Sequence, residues 1–434
     1  MDDEPTASLN GHNSSRRGSE RSLANSTADP PSSSPTSQWE RRPLSAPEAN
    51  KAAQILGACE LGDVEALSNL ATSEYGLVED NLRRAAWPIL LGCKQSNKTT
   101  DKYNAEIWKD LPRHRDEDQV SLDVNRSFVY YPKDQSPKQI DRRKEELQDL
   151  ITAVLRLHPE LSYFQGYHDI VQVLLLVLGP ETSAVARLSL LRIRDFMLPS
   201  LTPALAHLNL LPPLLYAADS KLCRHLSQTQ PFFALAATLT LYAHDIQEYG
   251  DIARLFDFLI AQEAAMSVYF FAVIVLSRKE ELFDIPPDEP EMLHSILSKL
   301  PKPLELEGLI SKTMQLYDIH PPSRLPFGAW RRISRYSVLK TTRTPVEVAK
   351  QSLKEGEDLF QRQVTQLRRE KLRQDLFGLM HKYKRPAGMA GLAISIAIIS
   401  WLLRRQNILG SYAGLDKLPR LVLSLVQRTL GLFR

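Results

Sequence analysis

The feature that most constrains this chain is the stretch from Ser136 to Leu178, where two apolar periodic segments are punctuated by proline and glycine. Ser136-Pro137 opens the first: a hydroxyl residue suited to cap a helix, then a proline whose fixed φ and missing N–H fit the first helical position. Ile140, Leu147, Leu150, Ile151, Val154 and Leu155 recur at helical spacing. Pro159 biases His158 out of the helical region, so the helix is expected to stop before it. A second apolar helix is expected after Gly166, from Ile170 to Leu178, closed by Gly179-Pro180. Strand-type alternation is scarce throughout. Leu198-Pro199, Leu211-Pro212-Pro213, Gln230-Pro231, Ile285-Pro286-Pro287 and His320-Pro321-Pro322 read as turns between further helices, so the expected fold class is all-α.

Two framed polar residues flank the first helix. Val120-Ser-Leu-Asp123-Val-Asn-Arg126 precedes it and Tyr163-Phe164-Gln165-Gly166 follows it. Arg126 then sits on a loop before the helix and Gln165 on a turn after it, and a hairpin-like return brings the two side chains to one mouth. The frames resemble the paired signatures of the TBC-domain family of Rab GTPase-activating proteins: an apolar residue, Asp three positions on and Arg three further, then Tyr-x-Gln-Gly. Leu82-Arg83-Arg84-Ala-Ala-Trp87-Pro-Ile-Leu-Leu-Gly92 resembles another family signature, Arg-x-x-x-Trp before an apolar run ending in Gly; Trp87 is expected as a buried anchor, and Arg83 shares its candidacy with Arg84. Asp251 to Asp257 resembles the later Arg-x-Trp-Asp element, with Phe256 at the aromatic position. The resemblance covers roughly residues 79–300.

The resemblance implies an all-helical TBC domain that stimulates GTP hydrolysis by a GTP-bound Rab-family small GTPase, completing that enzyme's active site in trans. Hydrolysis is limited by charge building on the transferring phosphoryl group and by poor alignment of the attacking water. An arginine supplied in trans answers the first problem and is worth roughly 10³–10⁵ in rate. A carboxamide answers the second, because it accepts from the water and donates toward the phosphate with one planar group. By resemblance Arg126 is the arginine finger and Gln165 a glutamine finger. Asp123 is expected to orient the finger loop. Tyr163, Gly166 and Asp169 are expected to support it through packing, backbone closeness and helix capping respectively. GTP and Mg²⁺ belong to the GTPase, and no metal-ligand spacing occurs in this chain. A non-catalytic Rab-binding scaffold is the first alternative, an endoplasmic-reticulum membrane-shaping or tethering protein the second.

The chain has 434 residues and a net charge of +3, too small to argue for nucleic acid. Cys59, Cys93 and Cys223 lack metal-ligand spacing and an even count, and read as free, mostly buried thiols of a reducing compartment. Residues 1–47 are rich in Ser, Pro and Arg and poor in large apolar residues, and are expected to be disordered. They contain Arg16-Arg17-Gly18-Ser19 and lead into Arg41-Arg42-Pro43-Leu44-Ser45, patterns favoured by basic-directed kinases. The helical domain is expected over 48–340 and a charged helical linker over 341–385.

Two apolar stretches compete for a membrane. Leu259 to Leu276 is interrupted by Gln262 and Glu263 and is read as core. Ala387 to Leu403 carries no charge and spans ~26 Å as a helix, close to the ~27 Å of an endoplasmic reticulum bilayer. Residues 386–404 are therefore expected to be a transmembrane anchor, and 405–434 an amphipathic tail. This layout resembles an endoplasmic-reticulum-anchored family member acting on a Rab of ER-to-Golgi traffic. Its expected location is the endoplasmic reticulum membrane, extending to the early Golgi, with the domain facing the cytosol.

Overall fold

The first helix begins two residues before the expected boundary at Glu48, because Ser45 caps it. The Ser45 N–H and hydroxyl both donate to Glu48, at 2.8 and 2.7 Å, so this serine is tied into a helix start. The structure, a computed structural model, describes residues 43–93, 107–133 and 135–405, without the side chains of 379–393 and 402–405. The expectations for residues 1–42 and 406–434 lie outside the described residues. Every regular element among the described residues is helical.

Helices α1 (Ala46–Leu61), α2 (Val64–Thr72) and α3 (Asp80–Leu90) form an N-terminal layer. Next come α4 (Glu117–Val124), the long α5 (Pro137–Leu157), α6 (Tyr167–Leu178) and α7 (Thr182–Leu191). Short helices follow: α8 (Thr202–Leu208), α9 (Leu211–Ala218), α10 (Ser220–His225) and α11 (Leu235–Leu239). The central pair is α12 (Tyr249–Ala261) and α13 (Met266–Ser277), followed by α14 (Lys279–Phe283), α15 (Pro290–Leu297) and α16 (Leu306–Ile319). The chain continues through α17 (Ala329–Arg332), α18 (Val338–Thr341) and α19 (Pro345–Lys350) into α20 (Leu353–Arg405).

Of the expected proline turns, Pro231 and Pro322 open short 3-10 helices, and Leu211-Pro212-Pro213 departs furthest. Pro212 and Pro213 lie within the first turn of α9, where the N–H groups have no intrahelical acceptor and proline costs little, so the pair starts a helix. The α5 boundaries follow the expected signals, with Ser136 accepting from the Gln139 N–H and Gln139 reaching back to the Ser136 N–H at 2.9 Å. The segment Leu259–Leu276 is core: α12 ends at Ala261, α13 opens at Met266, and Met266 through Val275 are all buried. A helix apolar on every side has to be enclosed by its neighbours.

A buried polar knot ties the first layer to α12. Arg83 donates to both oxygens of fully buried Asp257 through Nε, and through Nη2 to Oδ2 at 3.0 Å. The Trp87 indole N–H reaches the same carboxylate at 2.8 Å, as does the Leu77 N–H at 3.0 Å. Arg83, not Arg84, is the internal residue; Arg84 Nε donates to the Val177 carbonyl. Phe256 packs against Trp87 with ring centroids 6.1 Å apart, so the departure at this aromatic position keeps an aromatic contact.

Most of the expected charged linker, 341–385, and the expected anchor, 386–404, lie in one helix. It runs unbroken from Leu353 to Arg405, packs its first turns on α7, and passes the position of Pro386 without interruption. Among the described residues no helix is long and apolar enough to cross a membrane.

Candidate functional site

The arginine frame is helical up to Val124, and Asn125 and Arg126 turn away from that helix, so Arg126 stands on the expected turn before the long helix. Glu117 and Asp118 place negative charge in the first turn of α4, which favours its N-terminus. Lys144 from α5 donates to the Asn125 carbonyl at 2.8 Å at the other end. That helix end projects Arg126 outward, its side chain 65% exposed, while Nη2 is paired to Asp123 one turn back. Asp123 is fully buried and also receives Gln119 Nε2 at 3.1 Å. The chain then enters the core: Phe128, at φ 62°, donates its N–H to Gln172 of α6 at 2.9 Å.

The glutamine frame is the turn before α6. The Tyr163 hydroxyl donates to Oδ2 of Asp123 at 3.0 Å, and its N–H donates to Asp116 at 2.9 Å. Arg115 adds bonds from Nη2 to the Leu161 carbonyl and the Ser162 hydroxyl. Tyr163 therefore does more than pack: it joins the two frames through one carboxylate. Gly166 is the N-cap of α6 at φ 104°, and a Cβ there would lie 2.5 Å from Cγ2 of Thr240. Only glycine combines that dihedral with that closeness, and it leaves Gln165 at the exposed apex. Asp169 does not cap the helix as expected. It stands in the first turn rather than before it, and its carboxylate lies 3.1 Å from His244 Nδ1 and 3.3 Å from His168 Nε2.

Arg126 and Gln165 open on one cleft of about 650 Å³, with His168, Asp169, Gln172, Thr240 and His244 around its floor and wall. Exposed Val129, Tyr130 and Phe232 line the same cleft. Burial lowers the pKa of His168 against the opposing pull of Asp169 and Asp123. The hydrogen bond to Asp169 raises that of His244. Burial, then the neighbouring Asp123 carboxylate, push the Tyr163 phenol far up, so it stays a neutral donor. His168 and Gln172 follow Gln165 by three and seven residues, the spacing of one helix face, and that was the available signal for them. His244 and Thr240 arrive from a distant segment and carried none.

The three thiols are free and half-buried. Sequence spacing missed one group of donors: His158, Glu160 and Glu357 bring their ligand atoms within 4.8 Å of one another. Within it His158 Nδ1 and Glu357 are already hydrogen-bonded at 2.8 Å.

An all-helical body presenting a paired arginine and glutamine on one cleft defines a class, and the Rab-GTPase-TBC domain family matches residues 80–283. The chain belongs to that family. TBC1 domain family member 20 of Bos taurus is 37% identical over 293 residues, covering 66% of this chain and 71% of its own. The GTPase-activating protein gyp10 of Schizosaccharomyces pombe is 33% identical over 318 residues, covering 71% and 82%. The crystal structure of the Ypt/Rab-GAP domain of Gyp1p shares the fold at a TM-score of 0.50 and 12% identity, covering 62% of this chain and 99% of that one.

Proposed function

We propose that this chain is a GTPase-activating protein for a GTP-bound Rab-family GTPase, to which Arg126 and Gln165 are supplied in trans. The observation that carries the reading is that both side chains open on one cleft while their frames are locked together beneath it by Asp123. Most of the five donors of Arg126 are left to meet equatorial phosphoryl oxygens as charge builds there. The Gln165 carboxamide orients the attacking water. Rigid backing of both groups means that little ordering is needed when the partner arrives. GTP and Mg²⁺ come with the GTPase, and Val129, Tyr130 and Phe232 give that partner an apolar rim to cover.

The finer reading is that the substrate is a Rab of ER-to-Golgi traffic and that residues 387–403 anchor the chain in the endoplasmic reticulum membrane, reaching the early Golgi, with the domain facing the cytosol. The uncharged composition of 387–403 supports it. Confining activator and lipidated GTPase to one membrane raises their effective concentration. The test is phosphate release from a panel of GTP-loaded Rabs with catalytic amounts of the full chain. Acceleration of at least one Rab supports the reading; binding without acceleration of any makes the chain a scaffold. Deleting 387–403 is expected to release the chain from endoplasmic reticulum membranes and leave turnover in solution intact.

A further inference from the structure

A second cleft, of about 1050 Å³, lies between α17, the segment after it and the first half of α20. It shares no lining residue with the Arg126 cleft. Arg331, Arg332, Arg362, Arg369 and Arg373 converge on it, all exposed and, among the described residues, none held by a carboxylate. Two more cations line it but are engaged: Arg335 stacks over Tyr336, and Lys340 lies over Trp330 and donates to the Ile333 carbonyl. Glu370 is the one carboxylate of the lining, and it already accepts from Gln366 at 2.7 Å. Seven cations against one anion, in a chain whose net charge is only +3, is a local concentration of charge. Guanidinium groups left unpaired in such a cleft match phosphate in shape and charge.

The same helix also exposes apolar residues beside the arginines. Leu372, Leu376 and Phe377 are 62%, 59% and 69% exposed, and further along Ile394, Ile398, Ile399 and Trp401 are each more than half exposed. A nucleic acid would satisfy the arginines and leave these side chains in water. The headgroup region of an anionic bilayer satisfies both, phosphate for the guanidinium groups and the acyl boundary for leucine and phenylalanine.

We infer that this cleft binds the phosphate groups of anionic phospholipids and seats the Leu372–Phe377 turn in the bilayer surface. It thereby sets the orientation of the domain to the membrane. The inference rests on the bilayer reading of residues 387–403 for proximity to lipid, and the experiment separates the two.

The full chain is mixed with nanodiscs of phosphatidylcholine alone or with phosphatidylserine, disc-bound protein is isolated, and arginines are modified with phenylglyoxal and read by peptide mass spectrometry. Modification at the five cleft arginines is expected to slow about tenfold on anionic discs, as several cations engage one charged surface, and to recover at high salt. Exposed Arg142 on α5 serves as the internal reference and is expected to react equally on both discs. Equal rates at the cleft on both discs overturn the inference while recovery on neutral discs preserves the anchor; recovery on anionic discs alone preserves the cleft and removes the anchor. Equal protection by inorganic phosphate added to neutral discs, or by an oligonucleotide, also overturns it, since either would make the cleft a general anion site. In the variant with all five changed to Gln, the preference for anionic discs is expected to disappear, with a circular dichroism spectrum like that of the unaltered chain; a retained preference counts against the inference.

Discussion

The Tyr163 hydroxyl donates to Oδ2 of Asp123 at 3.0 Å, while Oδ1 of the same carboxylate holds Nη2 of Arg126. Two residues beyond Tyr163 stands Gln165, so one buried anion sets the spacing of the two groups that face the cleft. Asp123→Ala is expected to free Arg126 and to leave the Tyr163 hydroxyl with His168 Nδ1, 3.1 Å away, as its partner. Stimulated turnover should fall about tenfold or more, with GTPase affinity changed far less, because misplacement acts on the aligned transition state. Tyr163→Phe, which keeps the ring, should cost ~1 kcal/mol of stability and a smaller part of the rate. Rate and affinity measured together check both.

Gly166 provides a geometric test. Gly166→Ala introduces a methyl where only 2.5 Å separates the ideal Cβ from Thr240 Cγ2, at a φ that L-residues rarely adopt. The combined strain is expected to cost roughly 1–3 kcal/mol and to displace Gln165. Adding Thr240→Ser removes the clashing methyl and should recover part of the loss, leaving the dihedral contribution. A double-mutant cycle on melting temperature and stimulated rate measures the coupling.

The Arg83–Asp257–Trp87 knot is structural. Asp257→Ala would leave the Trp87 N–H without its acceptor and Arg83 Nε and Nη2 without theirs, with only Nη1 still paired, to Asp80 at 3.0 Å, for a loss of ~3–5 kcal/mol. Denaturant unfolding checks the magnitude. The activity per folded molecule should be unaffected, because nothing in this knot lines the Arg126 cleft.

Two histidines beneath the cleft titrate in opposite senses. His168 is lowered by burial from its ordinary 6.5, so the unfolded chain takes up the proton first. Its contribution is complete above about pH 6.5 and is lost as pH falls toward the depressed folded value. His244 is raised through its bond to Asp169, so its contribution is complete below the ordinary histidine range and is lost as pH rises through the raised folded value. His168→Gln should therefore flatten the acid limb of melting temperature against pH, and His244→Gln the limb above pH 6.5. Melts across pH 5–8 read each limb separately.

Much of this arrangement was legible in local chemistry. Ser136-Pro137 and Pro159 bracket α5 because capping and proline geometry act within a few residues, and the two frames carry their own spacing. Pairings made across the chain were not legible. That Asp123 and Tyr163 share a bond, that Asp169 engages His244 instead of capping α6, and that Arg83 rather than Arg84 turns inward all depend on tertiary packing. That the linker and the 386–404 segment form one continuous helix past Pro386 was likewise not legible locally. Proline removes one backbone bond and disfavours the preceding helical residue, yet a long helix can carry that local loss.

The central claim is that Arg126 and Gln165 act on the GTPase's transition state. It is tested most directly by single-turnover phosphate release from a responsive GTP-loaded Rab with the unaltered chain, Arg126→Ala, Arg126→Lys and Gln165→Ala. Each substitution is expected to lower the stimulated rate by about 10²-fold or more, with fold and GTPase binding retained. Unchanged rates in the Arg126 and Gln165 variants would contradict the account.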